Sequence, residues 1–189
     1  MEIYEAIEKR RTVRGFKEKV SEETLKKMIT AGTKALSAGN SQPWEFIIID
    51  DQKLLEEIGE NKYQQNRSLV AKDEKAKAAI EAAALVQKKS YQNCSAIAVC
   101  FKEGHNQVAS AWSCIQNMAL AATAEGVGVV TSSFWGEHQK IVERLLGLPE
   151  GYKVATVMLV GMQDGPPNEK ILRPESSLVH RNKFGIQKI

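Results

Sequence analysis

Apolar positions change their period several times along this chain. Ile3, Ala6 and Ile7 fall on one helical stripe and predict a short helix over residues 2–10. Ser21-Glu22-Glu23 predicts a helix start, because serine caps well and two acids sit in the positive first turn. Leu25, Met28, Ile29 and Leu36 give that helix an apolar face, which ends at Ser37-Ala38-Gly39-Asn40-Ser41-Gln42-Pro43, a loop of small and polar residues. Trp44 to Asp50 is mostly apolar and β-branched and predicts a strand. Helices are expected over 52–61 and within 68–92, where Ala, Lys and Glu dominate. Ser95 to Phe101 predicts a buried strand, and Val108 to Glu125 a long helix nearly apolar all round its middle, hence central. Gly126 and Gly128 end it. A strand over 127–133, a helix over 137–146 and a strand over 153–160 complete the regular pattern. Beyond Gly161, prolines and weak periodicity predict an extended C-terminal tail over 162–189, too apolar-poor to fold alone and either disordered or lying along another surface, such as a second subunit.

Strands separated by helices of unequal length point to an α/β or α+β arrangement, and 189 residues suit one domain over 1–189. A net charge of +3 is too small and dispersed for a nucleic-acid binder. Apolar stretches such as Val154 to Val160 are too short to cross a membrane, and the N-terminus lacks a signal-peptide pattern, so a cytoplasmic protein with no membrane or nucleic-acid partner is expected. Cys94, Cys100 and Cys114 are odd in number and form no CxxC pair. The histidines are scattered, so neither a disulfide framework nor a metal site is expected.

Candidate chemistry is concentrated in two places. Arg10, Arg11, Thr12 and Arg14 form a cationic run, and arginine presents a donor fork that matches phosphate oxygens. Alone, such a run also fits a solvated helix end. In the loop Ser37 to Trp44, small residues let a backbone approach a flat ligand, while Asn40 and Gln42 offer donors and acceptors for a heterocycle edge. An ordinary helix-to-strand connection has the same composition. The Gly-x-Gly at 126–128 follows a helix and precedes a strand, the reverse of a dinucleotide-binding loop. The Lys-rich stretch 72–89 alternates with acids, as a solvated face does.

Taken together, Arg-Arg-Thr-Val-Arg-x-Phe and Ser-Ala-Gly-Asn-Ser-Gln-Pro-Trp resemble the nitroreductase family of FMN-dependent oxidoreductases. The resemblance continues in Gln116 to Ala122, Glu125 to Gly128, Leu146 to Tyr152, and Arg173-Pro174 with Leu178-Val179-His180. It implies an α+β fold with a mainly antiparallel central sheet flanked by helices. It also implies a homodimer with FMN at the interface and C-terminal tails wrapping the partner. By position, Arg10, Arg11, Thr12 and Arg14 would hold the phosphate, ribityl chain and pyrimidine edge, with Arg10 and Arg11 toward the phosphate and Arg14 toward the ring. Arg173 would join on the phosphate, and Ser37, Ala38, Gly39 and Asn40 would come from the other subunit. Thr131, Ser132 and Ser133 match the stretch whose backbone lies at the flavin ring, one amide pointing at N5. Asn66, or Gln65 beside it, matches a polar residue at the flavin edge.

The activity so implied is hydride transfer from NAD(P)H to flavin N5, followed by electron transfer to a nitroaromatic, quinone or similar small acceptor in a ping-pong cycle. Arg14 is the expected stabiliser of charge at flavin N1 and O2. Reductive dehalogenation on the same scaffold and a non-catalytic flavin-binding protein are the alternative readings. The extended lid of the dehalogenating type is not evident in the sequence.

Overall fold

The computed structural model describes residues 1–166 and 169–186. Among the described residues there are thirteen elements, and five of them are strands. In chain order they are α1 (Ile3–Lys9), β1 (Phe16–Glu18), α2 (Glu22–Gly32), a 3-10 turn (Ala38–Asn40), β2 (Trp44–Ile49), α3 (Gln52–Arg67), α4 (Glu74–Lys89), β3 (Ser95–Lys102), α5 (Gln107–Ala124), β4 (Gly128–Ser132), α6 (Gly136–Leu145), β5 (Tyr152–Gln163) and a second 3-10 turn (Glu175–Ser177). Every strand ladder is antiparallel: β2 pairs β3, β3 pairs β5, and the other edge of β5 carries β4 and then β1. One parallel bridge, Thr12 to Val129, ties the arginine segment to β4.

The sheet is covered on both faces, so its central strands read as continuous apolar runs rather than alternating ones. In β3, Ala96, Ala98 and Cys100 face the cluster that holds Leu55 and Ile58 of α3 and Val142 of α6. Ile97, Val99 and Phe101 face α2 and α5. In β5 the parity flips: Val154, Val157 and Leu159 face the first cluster, whereas Ala155, Met158 and Val160 face the second. The flip follows from the register, where Val99 opposes Thr156 but Cys100 opposes Val154, a bulge of one residue. On the α5 side, α2 approaches closely at Gly32, where a β-carbon would come within 2.7 Å of Met118 Cγ and 2.8 Å of Cys114 Sγ.

Capping sets the helix starts. Ser21 Oγ accepts the Thr24 N–H, Asp51 accepts from Lys53 and Leu54, and Asp73 accepts from Ala76. Three expectations need correction. The α3 helix runs to Arg67 rather than 61, because the Leu54, Leu55, Ile58 stripe continues in buried polar side chains. The short β1 was not anticipated, since three residues show too little period. The α5 helix is not buried all round, for Trp112 remains 40% exposed. All three cysteines are buried, and burial pushes each thiol up to about 12. The α4 helix buries only Ala84, and it is joined to α3 by Lys88–Glu60 (2.5 Å), Arg67–Glu81 (3.6 Å) and a Tyr63–Glu81 hydrogen bond.

Candidate functional site

The arginine run is extended, not helical. Helix α1 stops at Arg10, whose ψ of 125° carries the chain out of the helix. The following residues lie along β4, fixed by a Val13 N–H to Val129 C=O bond of 3.0 Å. Their seat is made by two glycines opposed across the sheet, Gly128 on β4 and Gly161 on β5. A β-carbon at Gly128 would lie 2.7–2.9 Å from Val13, and one at Gly161 2.8–2.9 Å from Phe16 and the Glu18 carbonyl. Glycine is therefore required at both places by close approach.

Extended backbone sends neighbouring side chains to opposite sides. Arg10 and Thr12 line one cavity of about 120 Å³, with Trp112, Gln116 and Ala119 of α5 and Thr131 of β4. Arg11 lies on the other side with Val13, and its Nη1 donates to the carbonyls of Glu8 (2.5 Å) and Arg10 (3.0 Å). Arg14 lines a second, larger cavity of about 420 Å³, with Lys89 and Asn93 near the end of α4 and Asp164 after β5. Thr12 borders both cavities. Among the described residues no carboxylate lies within 4 Å of the guanidinium of Arg10, Arg11 or Arg14, although nine other ion pairs form.

The stretch after β4 divides by side-chain direction. Thr131 is exposed toward the cavity of Arg10. The Ser132 hydroxyl is buried and accepts from Tyr91 Oη at 2.5 Å, so its side chain belongs to the interior, and burial raises the Tyr91 phenol well above its ordinary pKa. The Ser133 carbonyl accepts from Lys62 Nζ at 2.6 Å and Gln65 Nε2 at 3.2 Å. Gln65 Oε1 in turn accepts the Trp135 N–H at 3.1 Å. Asn61 completes the grip: its amide donates to the His138 carbonyl at 2.9 Å, and its oxygen lies 2.7 Å from His138 Nδ1. Asn61, Lys62 and Gln65 thus clamp the connection from β4 to α6. Burial alone lowers the Lys62 ammonium to about 8. Sequence reasoning missed Asn61 and Lys62 and gave Gln65 only as a substitute for Asn66. The available signal was helical: 54, 58, 61 and 65 share one face, so polar residues there continue the buried stripe.

Other expected site residues line neither the cavity of Arg10 nor that of Arg14. Ser37, Ala38, Gly39 and Asn40 sit at the start of α5, where the Ala38 N–H donates to Ser110 Oγ at 3.0 Å. Ser110 and Gln116 are separated by about 9 Å along the helix axis at 1.5 Å per residue. Gly39, Asn40 and Gln42 all have positive φ (59°, 53° and 45°), an unusual conformation for the two that carry side chains. Asn66 is half-buried in the last turn of α3. Arg173 is exposed, with Nη2 3.4 Å from the Ser177 carbonyl. Among the described residues no group of three or more His, Cys, Asp or Glu side chains could hold a metal ion. No helix among them is long and apolar enough to cross a membrane.

Arginines without a carboxylate partner among the described residues, and a threonine, thus border a partly apolar cavity on an antiparallel α+β sheet. The nitroreductase family profile matches residues 7–162, and the chain belongs to that family. It is accordingly an oxidoreductase of a flavin-dependent family. A protein of Archaeoglobus fulgidus, provisionally named NADH dehydrogenase/NAD(P)H nitroreductase, is 29% identical over 97% of this chain and 99% of its own length. A Parabacteroides distasonis structure given the same provisional name is 27% identical, with a TM-score of 0.74 over 96% of this chain and 98% of its own. An iodotyrosine deiodinase bound to FMN and 3-iodo-L-tyrosine is 25% identical, also with a TM-score of 0.74, covering 91% of this chain and 98% of its own.

Proposed function

We propose that this chain is an FMN-dependent NAD(P)H oxidoreductase acting on a nitroaromatic, quinone or similar small acceptor, and that it works as a homodimer. The observation that carries this reading is the placement of Arg10, Thr12 and Thr131 around one cavity, with Arg14 beyond Thr12 in the next. The donor set fits FMN. Two guanidiniums without carboxylate partners among the described residues suit a phosphate and a polarisable ring edge, and Trp112, Ile115, Ala119 and Val129 supply apolar surface for a planar ring. When bound, FMN would supply the hydride-accepting and electron-donating chemistry.

Arg10 and Thr12 bind and orient at the cavity of α5. Arg14 presents a fixed cation, which favours negative charge on whatever edge it meets. The clamp from α3 holds the backbone after β4. A cavity of about 120 Å³ is small against ligand pockets of about 300–1,000 Å³, so a second subunit is needed to complete the enclosure. Ile3, Tyr4 and Ile7 on α1 and Trp112 on α5 are exposed apolar side chains that such a partner would cover. Ser37 to Asn40, which line neither cavity, are assigned to the same site across that interface, Arg173 to the phosphate and Asn66 to the flavin edge.

An absorption spectrum of the purified protein tests the cofactor, and anaerobic addition of NADH or NADPH tests the reaction. Flavin bands that bleach on addition are expected. A protein that neither copurifies with flavin nor binds added FMN would overturn the reading. Likeness to the deiodinase favours one second reading, reductive dehalogenation. Iodide release from 3-iodo-L-tyrosine by the reduced protein would support it.

A further inference from the structure

Two adjacent lysines end α4, and they are used differently. Lys88 turns toward α3 and pairs with Glu60 at 2.5 Å. Lys89 lies about 100° further round the helix. It lines the cavity of Arg14 together with Val86, one turn earlier on the same face. Like Arg14, Lys89 has no carboxylate within 4 Å among the described residues. Asp164 is the one acid that lines this cavity, so two cations face one carboxylate there. The turn after α4 is tied to the strand beside the site. Tyr91 is buried, its Oη donates to Ser132 Oγ at 2.5 Å, and its ring occupies the space where a β-carbon on Gly59 would come within 2.9 Å. Ser90 Oγ donates to the Gln87 carbonyl at 2.8 Å and closes the helix. Asn93 then takes left-handed backbone, with a φ of 55°, and Gln92 and Asn93 both join the cavity wall.

At about 420 Å³ this cavity has the size of a small-molecule pocket, and Thr12 joins it to the smaller cavity of Arg10. With Arg14 turned to the flavin edge, Lys89 is the cation left for a second ligand. Val86 beside it is an apolar side chain that is half exposed, a surface for the flat part of such a ligand. A lysine is a point charge on a flexible stem, which suits one oxyanion on a molecule whose position other contacts set. We propose that Lys89 is a specificity-determining residue that makes the enzyme prefer aromatic acceptors carrying an anionic group, such as a nitroaromatic or quinone with a carboxylate. This inference rests on the FMN reading above. It names the class of acceptor, which that reading leaves open.

Titration calorimetry of the oxidised, FMN-loaded protein with para-nitrobenzoate and with para-nitrobenzamide, its neutral counterpart of similar shape, tests the proposal at low ionic strength. Lys89→Gln should weaken para-nitrobenzoate by about fivefold, the upper end for an ion pair with an exposed partner. The same variant should leave para-nitrobenzamide within about twofold, and Lys89→Arg should keep the preference for the anion. In turnover the loss should fall on KM for para-nitrobenzoate and leave kcat. Equal losses for both ligands, or none for the anion, would overturn the role of Lys89. A loss confined to NADPH, with para-nitrobenzoate unaffected, would overturn the proposal by giving the cation to the coenzyme phosphate. Protein that holds FMN and is bleached by NADH but binds neither nitro compound would overturn the proposal and leave the FMN reading standing. Failure to bind FMN would remove both.

Discussion

The arginine segment and the Ser37–Asn40 loop carry the two strongest polar patterns of the chain, yet they are held in opposite ways. The arginine segment lies on the sheet, with Val13 and Phe16 pressed against Gly128 and Gly161 where no β-carbon fits. Its floor is close-packed. The loop at 37–40 is half-buried at Ser37 and Ala38 and exposed at Gly39 and Asn40; Ser110 pins Ala38 and Gln107 pins the following Ser41 at the start of α5, with left-handed backbone at Gly39 and Asn40. One half of the proposed site is thus set by packing inside a protomer. The other half is a polar rim that faces outward and needs a second surface to complete it. This difference places the specificity for flavin geometry on the floor and its enclosure on the rim.

Gly161→Ala attacks the floor most directly. Its β-carbon would meet the Glu18 carbonyl at 2.9 Å, a backbone atom that cannot turn aside. A loss of about 3 kcal/mol in unfolding free energy is expected, with a lower flavin-to-protein ratio. Wild-type stability in urea denaturation would show that the floor is softer than the packing implies. Next, Gln65→Leu should cost about 2 kcal/mol, because the Trp135 N–H loses its partner and the Ser133 carbonyl keeps only Lys62. Calorimetric melting checks it.

Arginine pairs sharpen the contrast within the floor. Arg10→Ala should weaken FMN binding by roughly tenfold, the lower end of a charge-assisted contact. Arg11→Ala, on the opposite side of the extended segment, should change it much less. Fluorescence titration with FMN compares the two, and equal losses would mean that alternation along the segment does not sort them. The smallest expected effect concerns pH. Burial holds the Lys62 ammonium at about 8 in the folded chain, below its value when unfolded. The unfolded state therefore binds more protons between pH 8 and 10, and this group makes stability rise with pH there. The stability of wild type relative to Lys62→Met should increase from pH 7 to pH 9.5. A flat difference would contradict the depressed value.

The central strands were legible in the sequence because they are buried on both faces: Ser95 to Phe101 and Val154 to Val160 are unbroken apolar runs. Helix starts were legible at Ser21, where the cap is chemical and local. The face reversal in β5 was not, since a one-residue bulge at 155–156 leaves no mark in a run that is apolar on both sides. Nor was the sorting of Arg10 from Arg11, which depends on extended rather than helical backbone after α1. In α3 Asn61 and Lys62 carry no apolar mark of burial, and their polarity is what lets them bind a backbone loop.

The attachment of α4 has one more consequence. With Ala84 as its sole buried residue and charged side chains as its links to α3, this helix is fastened by contacts that ions can weaken. Its C-terminal turn carries Val86 and Lys89, which wall the cavity of Arg14. Access to that cavity becomes a function of ionic strength, readable as faster amide exchange in residues 74–89 as salt is raised. The floor beneath, fixed by methyl groups and missing β-carbons, stays indifferent to it.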